Sequence, residues 1–322
     1  MGVLQKAVAS LIAAGAATMV VPAGAENYPT HPVRILAGPP GTLTESAARQ
    51  VGQRLSERWG KPVVVENRAT NTVATGAAAQ APADGYTLVM SDRTALAAFP
   101  SLQKALGYDP LKDLVPITRV AVAAMVLVAH PSVPAATLRE FIEYSKKQPG
   151  MVDFATAGPA TAPHLANEML RLMTGINVQS IQYKGSGAAQ LAILGGEPKV
   201  GFVLASNTWS LVSAGKLKAY AVTTGRRFSG APEIPTASEA GLPGFESLYW
   251  IGMLAPARTP GTLVNRLNRD IVEIVQTQAL QAAFLVQGAE TAPSTPEEFA
   301  AFIQRETTKL NREIELTGVR VN

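Results

Sequence analysis

Short, continuous apolar runs alternate with helix-like segments along this chain, and the alternation limits the fold more than any other feature of the sequence. Runs that are apolar at every position, such as Val63-Val64-Val65, are typical of parallel sheets covered on both faces. Helical patterns lie between them, and one carries apolar residues at spacings of three and four: Ala47, Ala48, Val51 and Leu55. The order strand–helix–strand predicts an α/β fold with open, mostly parallel sheets and helices on both faces.

The strand–helix pattern restarts in mid-chain, which predicts two similar lobes. The predicted strands fall into two groups, at 33–36, 63–65, 86–90 and 122–129, and at 153–156, 178–183, 200–204 and 219–223. Helices are predicted to begin near Thr44 and His164, whereas the polar stretch 67–75 is predicted to be a loop. Two amphipathic helices, 262–278 and 296–314, are predicted to follow the last strand.

Residues 1–25 have the pattern of a cleaved secretory signal peptide. Lys6 lies in a short start without acidic residues, Ala7 to Val21 are apolar or small, and small residues precede Glu26. Because the apolar stretch is shorter than the ~20 residues of a membrane span, an N-terminal membrane anchor is the less favoured alternative. No later segment is long and apolar enough to span a membrane, so we expect a soluble mature protein in the periplasm.

Composition excludes several classes of protein. The chain has no cysteine, which excludes a disulfide framework, cysteine-ligated zinc and a thiol nucleophile. Its net charge of +4 is not clustered and only 6% of its residues are aromatic, so a nucleic-acid groove is not indicated. The three histidines lack metal-type spacing, and neither a Gly-x-Ser-x-Gly elbow nor a glycine-rich phosphate loop is present. We therefore expect no metal, no cofactor and no catalytic residues.

Four loops that follow predicted strands are rich in small and hydroxyl residues: 39–45, 91–94, 156–161 and 183–186. In an open α/β sheet, ligands bind beyond the carboxyl ends of the strands. A helix that begins there presents unpaired backbone N–H groups and the positive end of its dipole. Two such helix starts at one cleft would bind a carboxylate without transforming it. Taken singly, each loop is more simply explained as an ordinary turn.

Ordered motifs along nearly the whole mature chain resemble those of a known family. They include Pro62-Val63-Val64-Val65-Glu66-Asn67-Arg68, Ala83-Asp84-Gly85-Tyr86-Thr87-Leu88, Tyr108-Asp109-Pro110, His164-Leu165-Ala166, Tyr183-Lys184-Gly185, Leu194-Gly195-Gly196 and Glu239-Ala240-Gly241-Leu242-Pro243-Gly244. With these motifs the sequence resembles the TctC/Bug family, the periplasmic solute-binding proteins of tripartite tricarboxylate transporters.

The resemblance implies a type II periplasmic binding protein fold with a ligand cleft between two lobes. The chain is then expected to cross between lobes twice, so that 26–126 and 250–322 form the first lobe and 127–249 the second. Ligand carboxylates would be held by backbone amides, hydroxyls and bridging waters. The implied ligand-binding residues come from both lobes: Pro40, Gly41, Thr42, Leu43, Thr44, Glu45, Ser91, Arg93, Thr94, Thr156, Gly158, Ala160, Thr161, Tyr183, Lys184 and Val203.

The sequence departs from the family pattern at the loops that would bind the ligand. Thr42 stands where the family has a second glycine, Glu45 where it has aspartate, and Val203-Leu204 where it has an Asp-Asn pair. Together with Leu43, the apolar replacements favour a mono- or dicarboxylate with an aliphatic or aromatic body, because an unpaired polar ligand group costs ~1–3 kcal/mol.

Two charged residues near these loops have more than one interpretation. Arg93 could pair with a ligand carboxylate, or it could be a solvated loop residue or an ion-pair partner of Asp92. Glu45 could bind a ligand amine, or it could lie in the first turn of a helix, where the dipole favours an acidic side chain.

The leading functional hypothesis is a monomeric receptor that captures a small carboxylate and makes transient contact with membrane permease subunits. The alternative is a sensing component that presents its ligand-bound state to a membrane sensor kinase. An enzyme on the same fold would need a nucleophile paired with a base, and the sequence does not indicate one.

Overall fold

Two mixed β-sheets, each flanked by helices, organise the residues that the structure describes. The structure is a computed structural model that describes residues 27–102, 106–148, 150–205 and 208–319; the predicted signal peptide lies outside these ranges. The strands are β1 (Val33–Ala37), β2 (Val63–Asn67), β3 (Thr87–Asp92), β4 (Leu114–Ala123), β5 (Met125–Ala129), β6 (Val152–Thr156), β7 (Val178–Gln182), β8 (Val200–Leu204), β9 (Lys218–Val222), β10 (Tyr249–Pro256) and β11 (Ala289–Thr291). The helices are α1 (Leu43–Trp59), α2 (Asn71–Ala79), α3 (Phe99–Leu102), α4 (Leu138–Lys146), α5 (Ala162–Thr174), α6 (Ser186–Gly195), α7 (Thr208–Ser213), α8 (Gly261–Val275), α9 (Gln278–Val286) and α10 (Pro296–Thr317), with a π-helical turn, Thr94–Ala98, before α3.

Each lobe is built on one sheet, which confirms the predicted two-lobed α/β fold. The strand order is β11-β4-β10-β3-β1-β2 in the first sheet and β7-β6-β8-β5-β9 in the second. β2, β1 and β3 are parallel, as are β7, β6 and β8. The other pairs are antiparallel, so both sheets are mixed. Their antiparallel parts contain β4, β5 and β10, the strands by which the chain leaves or enters a lobe.

The first crossing between lobes is a nearly continuous extended run through Ala124. β4 ends at Ala123 in the first sheet and β5 begins at Met125 in the second, where the sequence predicted one strand over 122–129. The Ala124 N–H donates to Gly288 O (3.1 Å), and Ala124 O accepts from Ala205 N (2.9 Å). The chain returns between β9 and β10. The predicted lobe boundaries at 126/127 and 249/250 remain predictions.

The C-terminal helices return to the first lobe and cover its sheet. α8 packs against α1 and β4, and α10 packs against β4, the π-helical turn and α5 of the second lobe. Trp250 of β10 is completely buried and makes edge-to-face contacts with Phe299 (5.8 Å between ring centroids) and Phe302 (5.3 Å) of α10. α10 therefore joins the core of one lobe to the surface of the other.

Two sequence expectations for the first lobe were wrong. β2 is an edge strand, so its valines are not covered on both faces, and Val64 is 48% exposed. The stretch predicted as a polar loop at 67–75 contains the end of β2 and most of α2, because the Thr70 side chain accepts from Val73 N (3.1 Å) and caps that helix. The small residues Ala74 and Ala78 of α2 are buried against the sheet.

Within residues 27–102, 106–148, 150–205 and 208–319, none of the helices combines the length and apolarity that a bilayer span demands.

A substitution at Gly252 of β10 tests how closely α10 packs against the first sheet. A Cβ at this position would overlap the ring of Phe299 and would lie 3.0 Å from Thr118 O. Because overpacking a buried site costs roughly 1–3 kcal/mol, we expect Gly252→Ala to lower the free energy of unfolding by that amount in urea titrations. Gly261→Ala is the matched control, since its added Cβ meets no atom within 4 Å apart from its chain neighbours and the adjacent backbone of its own helix. Equal stability of the two variants would contradict the packing described here.

Candidate functional site

The first rim of the candidate site is the start of α1, directly beyond β1. Gly41 adopts φ +80°, which turns the chain from the strand into the helix. Thr42 Oγ1 then accepts from Glu45 N (3.3 Å) and caps the helix. The N–H groups of Leu43 and Thr44 have no acceptor among the described residues. The rim therefore combines free N–H groups with the positive end of a 17-residue helix.

A chain of partly buried hydrogen bonds holds this rim against the neighbouring strands. Thr42 Oγ1 lies 2.9 Å from Thr44 Oγ1, which donates to Asn71 Oδ1 (2.9 Å). Asn71 Nδ2 donates to Asp92 Oδ2 (2.7 Å), which also accepts from the Tyr249 hydroxyl (2.9 Å). The chain joins α1, α2, β3 and β10 at the carboxyl edge of β1 and β3, so it fixes the positions of these loops relative to one another.

Asp92 is the acidic residue of this hydrogen-bond network. It is 4% exposed, and burial raises its pKa because the charged form is poorly solvated. Its donors, including Ala95 N (2.9 Å), act in the opposite direction. Burial and the adjacent carboxylate raise the pKa of Tyr249 well above its usual range. Tyr249 therefore remains a hydrogen-bond donor to Asp92.

Arg93 follows Asp92 but points its guanidinium into the protein. The residue is 2% exposed, and Arg93 Nη2 lies 3.3 Å from Glu313 Oε2 while Nε lies 3.7 Å from Glu306 Oε2. Both carboxylates belong to α10. A role for Arg93 as a ligand partner remains a prediction, and in this arrangement its carboxylate partners are protein side chains.

Glu45 lies in the first turn of α1, one of the two places anticipated for it. It is 9% exposed, accepts from Gly41 N (3.4 Å) and pairs with Arg49 one turn later. An acidic side chain here is favoured by the helix dipole. Because Glu45 has these partners, it stabilises the loop, and its binding of a ligand amine remains a prediction.

The remaining first-lobe residues predicted for the site lie around these loops. Pro40 and Gly41 are exposed, Thr42, Leu43 and Thr94 are partly buried, and Thr44 and Ser91 are buried. Ser91 Oγ lies 2.6 Å from Thr75 Oγ1 of α2, so its side chain belongs to the interior of the lobe. The most accessible groups of this rim are therefore at 40–43 and Thr94.

The second rim is the loop between β6 and α5. Gly158 has φ +121° and Ala160 has φ +56°, so two residues of this short loop are left-handed. Thr161 Oγ1 donates to Gly158 O (2.7 Å). The N–H groups of Ala162 and His164, in the first turn of α5, have no acceptor among the described residues. Thr156 Oγ1, at the end of β6, is buried and also without a partner in this part of the chain.

The loop after β7 lies against this rim. Tyr183 N donates to Thr156 O (2.9 Å) and Gly185 N to Ala157 O (3.3 Å). Gly185 has φ +96° and precedes α6. Tyr183 is partly buried and Lys184 is exposed. The structure thus brings together all the predicted second-lobe residues except one.

The exception is Val203. It lies in β8, is completely buried and belongs to the apolar core of the second lobe. Its neighbour Leu204 is partly buried and packs against apolar clusters of both lobes. Of the apolar replacements, Leu204 lies where the lobes meet and Leu43 lies at the first rim. Val203 lies in the cluster against which Tyr183 packs, and its contact with a ligand remains a prediction.

The second rim lies next to the first lobe. Leu165, in the first turn of α5, is completely buried and belongs to the same apolar cluster as Leu36 of β1 and Trp250 of β10. α5 also packs along α10. The start of α5 is therefore held against the lobe that carries the start of α1.

Two cavities elsewhere do not include the predicted residues. One of about 470 Å³ lies at the crossing between lobes, beside Ala124, Arg119 and Glu290. An open groove of about 840 Å³ lies between α5 and α10, beside Met169, Arg312 and Leu316. In the described ranges, no three His, Asp or Glu side chains are grouped so that they could hold a metal ion.

Asn71 tests whether the network at the first rim contributes to stability. Asn71→Ala removes a donor to buried Asp92 and the acceptor for Thr44, and an unsatisfied buried polar group costs about 1–3 kcal/mol. We expect the free energy of unfolding to fall by that amount in urea titrations. Asn177→Ala, at an exposed asparagine, is the control. An Asn71→Ala variant as stable as this control would show that the network is energetically unimportant.

Comparison with known proteins assigns the chain to a family. Residues 47–319 match the model of the tripartite tricarboxylate transporter family receptor, TctC. The protein BugT of Bordetella pertussis is 34% identical over 309 residues, which cover 95% of each chain. The solved structure of R. palustris Rpa4515 with adipate has a TM-score of 0.83 at 26% identity, covering 91% of this chain and 99% of that one. MatC from Rhodopseudomonas palustris with bound malate has a TM-score of 0.77 at 26% identity, covering 89% and 100%. The chain therefore belongs to the TctC/Bug family of periplasmic solute-binding proteins.

Proposed function

We propose that this protein is a periplasmic receptor that captures a small organic carboxylate between its lobes and delivers it to a tripartite tricarboxylate-type membrane transporter. One observation carries the proposal: two long helices, one in each lobe, begin beyond parallel strands with N–H groups that lack acceptors in the described chain. The first turn of one of them is packed against the other lobe.

A carboxylate is the ligand that this arrangement fits best. Backbone N–H groups and helix dipoles attract an anion without a neutralising side chain. The hydroxyls of Thr42 and Thr161 donate to Pro39 O (2.8 Å) and Gly158 O (2.7 Å), so they hold the two rims in shape and leave the backbone N–H groups to meet the anion. The family relatives with adipate and with malate are both carboxylate complexes, which supports the same ligand class here.

The body of the ligand is proposed to be aliphatic or aromatic. Leu43 is partly buried at the first rim, and Leu204 is partly buried between the two apolar cores. Apolar side chains at these positions offer no partners to extra hydroxyls on a ligand. Adipate, with its unsubstituted chain, would then bind more tightly than citrate.

Capture is proposed to occur by closure of the lobes about their two crossings. The ligand would enter while the rims are apart and then be enclosed by both helix starts. Neither entry of the ligand nor closure of the lobes requires a nucleophile or a base, so the ligand would leave unchanged.

Calorimetric titration of the mature protein with adipate, malate, citrate and benzoate tests the ligand class. Saturable binding of at least one of these acids is expected, with adipate or benzoate tighter than citrate. Tight citrate binding with no binding of adipate or benzoate would contradict the apolar-body proposal. The absence of binding to all four acids would contradict the carboxylate receptor itself.

A charge placed at the second rim tests where the carboxylate binds. Aspartate is a good N-cap residue, so Thr161→Asp should leave α5 formed while adding a negative charge beside the proposed ligand. We expect at least a tenfold rise in Kd, equivalent to about 1.4 kcal/mol. Thr137→Asp makes the same change at the N-cap of α4, which lies outside the proposed rims, and should leave Kd unchanged. Equal effects of the two substitutions would contradict the proposed site.

The role in transport is tested in cells. Deletion of the gene should abolish uptake of the bound acid while leaving ligand-dependent gene expression intact. Loss of induction with normal uptake would favour the sensing alternative.

A further inference from the structure

Ala160 is the one non-glycine residue with positive φ (+56°) among the described residues. Residues other than glycine rarely adopt this region, because the side chain then clashes with the backbone. Ala160 is completely buried in the second rim. Something in the surrounding structure must therefore hold the loop in this conformation.

The imidazole of His164 makes the contact that fixes this residue. Ala160 N donates to His164 Nδ1 (3.0 Å), so the amide of the left-handed residue is tied to the first turn of α5. Only a neutral imidazole with an unprotonated Nδ1 can accept this bond. The remaining proton is then on Nε2, which lies 4.0 Å from Glu168 Oε1.

We propose that His164 is a positioning residue of the carboxylate site, whose neutral imidazole holds Ala160 and the second rim in the binding conformation and whose protonation releases them. The inference rests on the proposed function, because it assigns a regulation to the same rim. Affinity for the carboxylate would then fall as pH falls, even though protonation adds a positive charge near an anion.

The surroundings of His164 favour the neutral form at neutral pH. Burial lowers its pKa below the ordinary value of 6.5, and Glu168 acts in the opposite direction. Glu168 is itself engaged by Arg171 of α5 (2.9 Å) and by Ser180 of β7 (3.2 Å). From β6, β8 and α10, which also pack against α5, no charged group in the described chain contributes to this pKa.

The sign of the pH dependence follows from the lowered pKa. The folded protein binds a proton at His164 less readily than the unfolded chain, so the neutral bond is fully present above pH 6.5. It is lost as pH falls through the lowered value. Below that value, an affinity that requires the neutral imidazole weakens by about tenfold per pH unit.

Substitutions at His164 test whether its side chain positions the loop or only fills space beside it. Asparagine places its Oδ1 near the position of Nδ1, accepts the same bond and does not titrate. His164→Asn should therefore bind adipate as the native protein does near pH 8 but should lack the additional loss of affinity that the native protein shows as pH falls below 6.5 and through the lowered pKa of His164. His164→Phe should bind weakly at every pH. The ligand's own titration is common to all variants, so the difference between native protein and His164→Asn isolates the imidazole.

Two further variants check whether the effect of His164 acts through Ala160 and is specific to this histidine. Ala160→Gly removes the backbone strain, so it should restore part of the affinity lost by His164→Phe when the two changes are combined. His130→Asn is the matched control, since His130 Nδ1 contacts Ser132 rather than the rim, and its pH profile should equal that of the native protein.

Hydrogen exchange at the Ala160 amide, corrected for its intrinsic pH dependence and measured by NMR, reports on the loop without any ligand. Protection should be lost at low pH in the native protein and kept in His164→Asn. If the acids bind but His164→Asn keeps the native pH profile, or if His164→Phe keeps full protection, the positioning role is wrong while the receptor stands. If none of the acids binds at any pH but protection follows the imidazole, the receptor proposal fails and the loop mechanism stands.

Discussion

Every helix leaves its first backbone N–H groups without partners inside the helix, and the proposed location of the ligand depends on this constraint. Because β1 and β6 are each followed directly by a helix, α1 and α5 begin at the carboxyl ends of these strands. Thr42 satisfies one of these groups in α1, but the N–H groups of Leu43, Thr44, Ala162 and His164 have no acceptor in the described ranges. Since such groups are costly to bury unpaired, they must be reached by solvent or by a ligand.

The proposed closure of the two rims depends on the crossing through Ala124. A single residue separates the strands of the two sheets, and its N–H and C=O bond to different lobes, at Gly288 and Ala205. Contacts farther from the crossing also join the lobes, including the ion pair of Arg226 with Glu290 and the bond from Lys309 Nζ to Glu246 O (2.9 Å). These contacts are partly exposed, so they add modest energy. Deeply buried contacts also join the lobes, and one of them is that of Leu165 of α5 with the apolar cluster that includes Phe299 and Ile303 of α10.

Hydrophobic periodicity predicted the strand–helix units well because those elements bury apolar faces locally: β1, α1, β6, α5 and β8 all occur close to their expected bounds. It did not predict β10 and β11, whose places in the first sheet depend on pairing with strands far away in sequence. The predicted loops could be located at the strand ends, yet the side chains that fix them could not. Asn71, Asp92 and Tyr249 meet only after three elements assemble, and the contact of His164 with Ala160 depends on a left-handed residue that no pattern indicates.

Arg93 shows that a charge near a proposed binding loop can already have carboxylate partners within the protein. Its guanidinium is directed toward Glu306 and Glu313, and these carboxylates are themselves largely buried. Removing one partner of a buried ion pair costs about 3–5 kcal/mol, because it leaves an uncompensated charge. Arg93 Nε and Nη1 have no hydrogen-bond partner in the described chain, so binding of a ligand carboxylate by Arg93 would require the ligand to reach these buried atoms. The proposed site of backbone amides needs no such access, and it would leave no buried charge behind when the ligand departs, which suits the proposed delivery to a transporter.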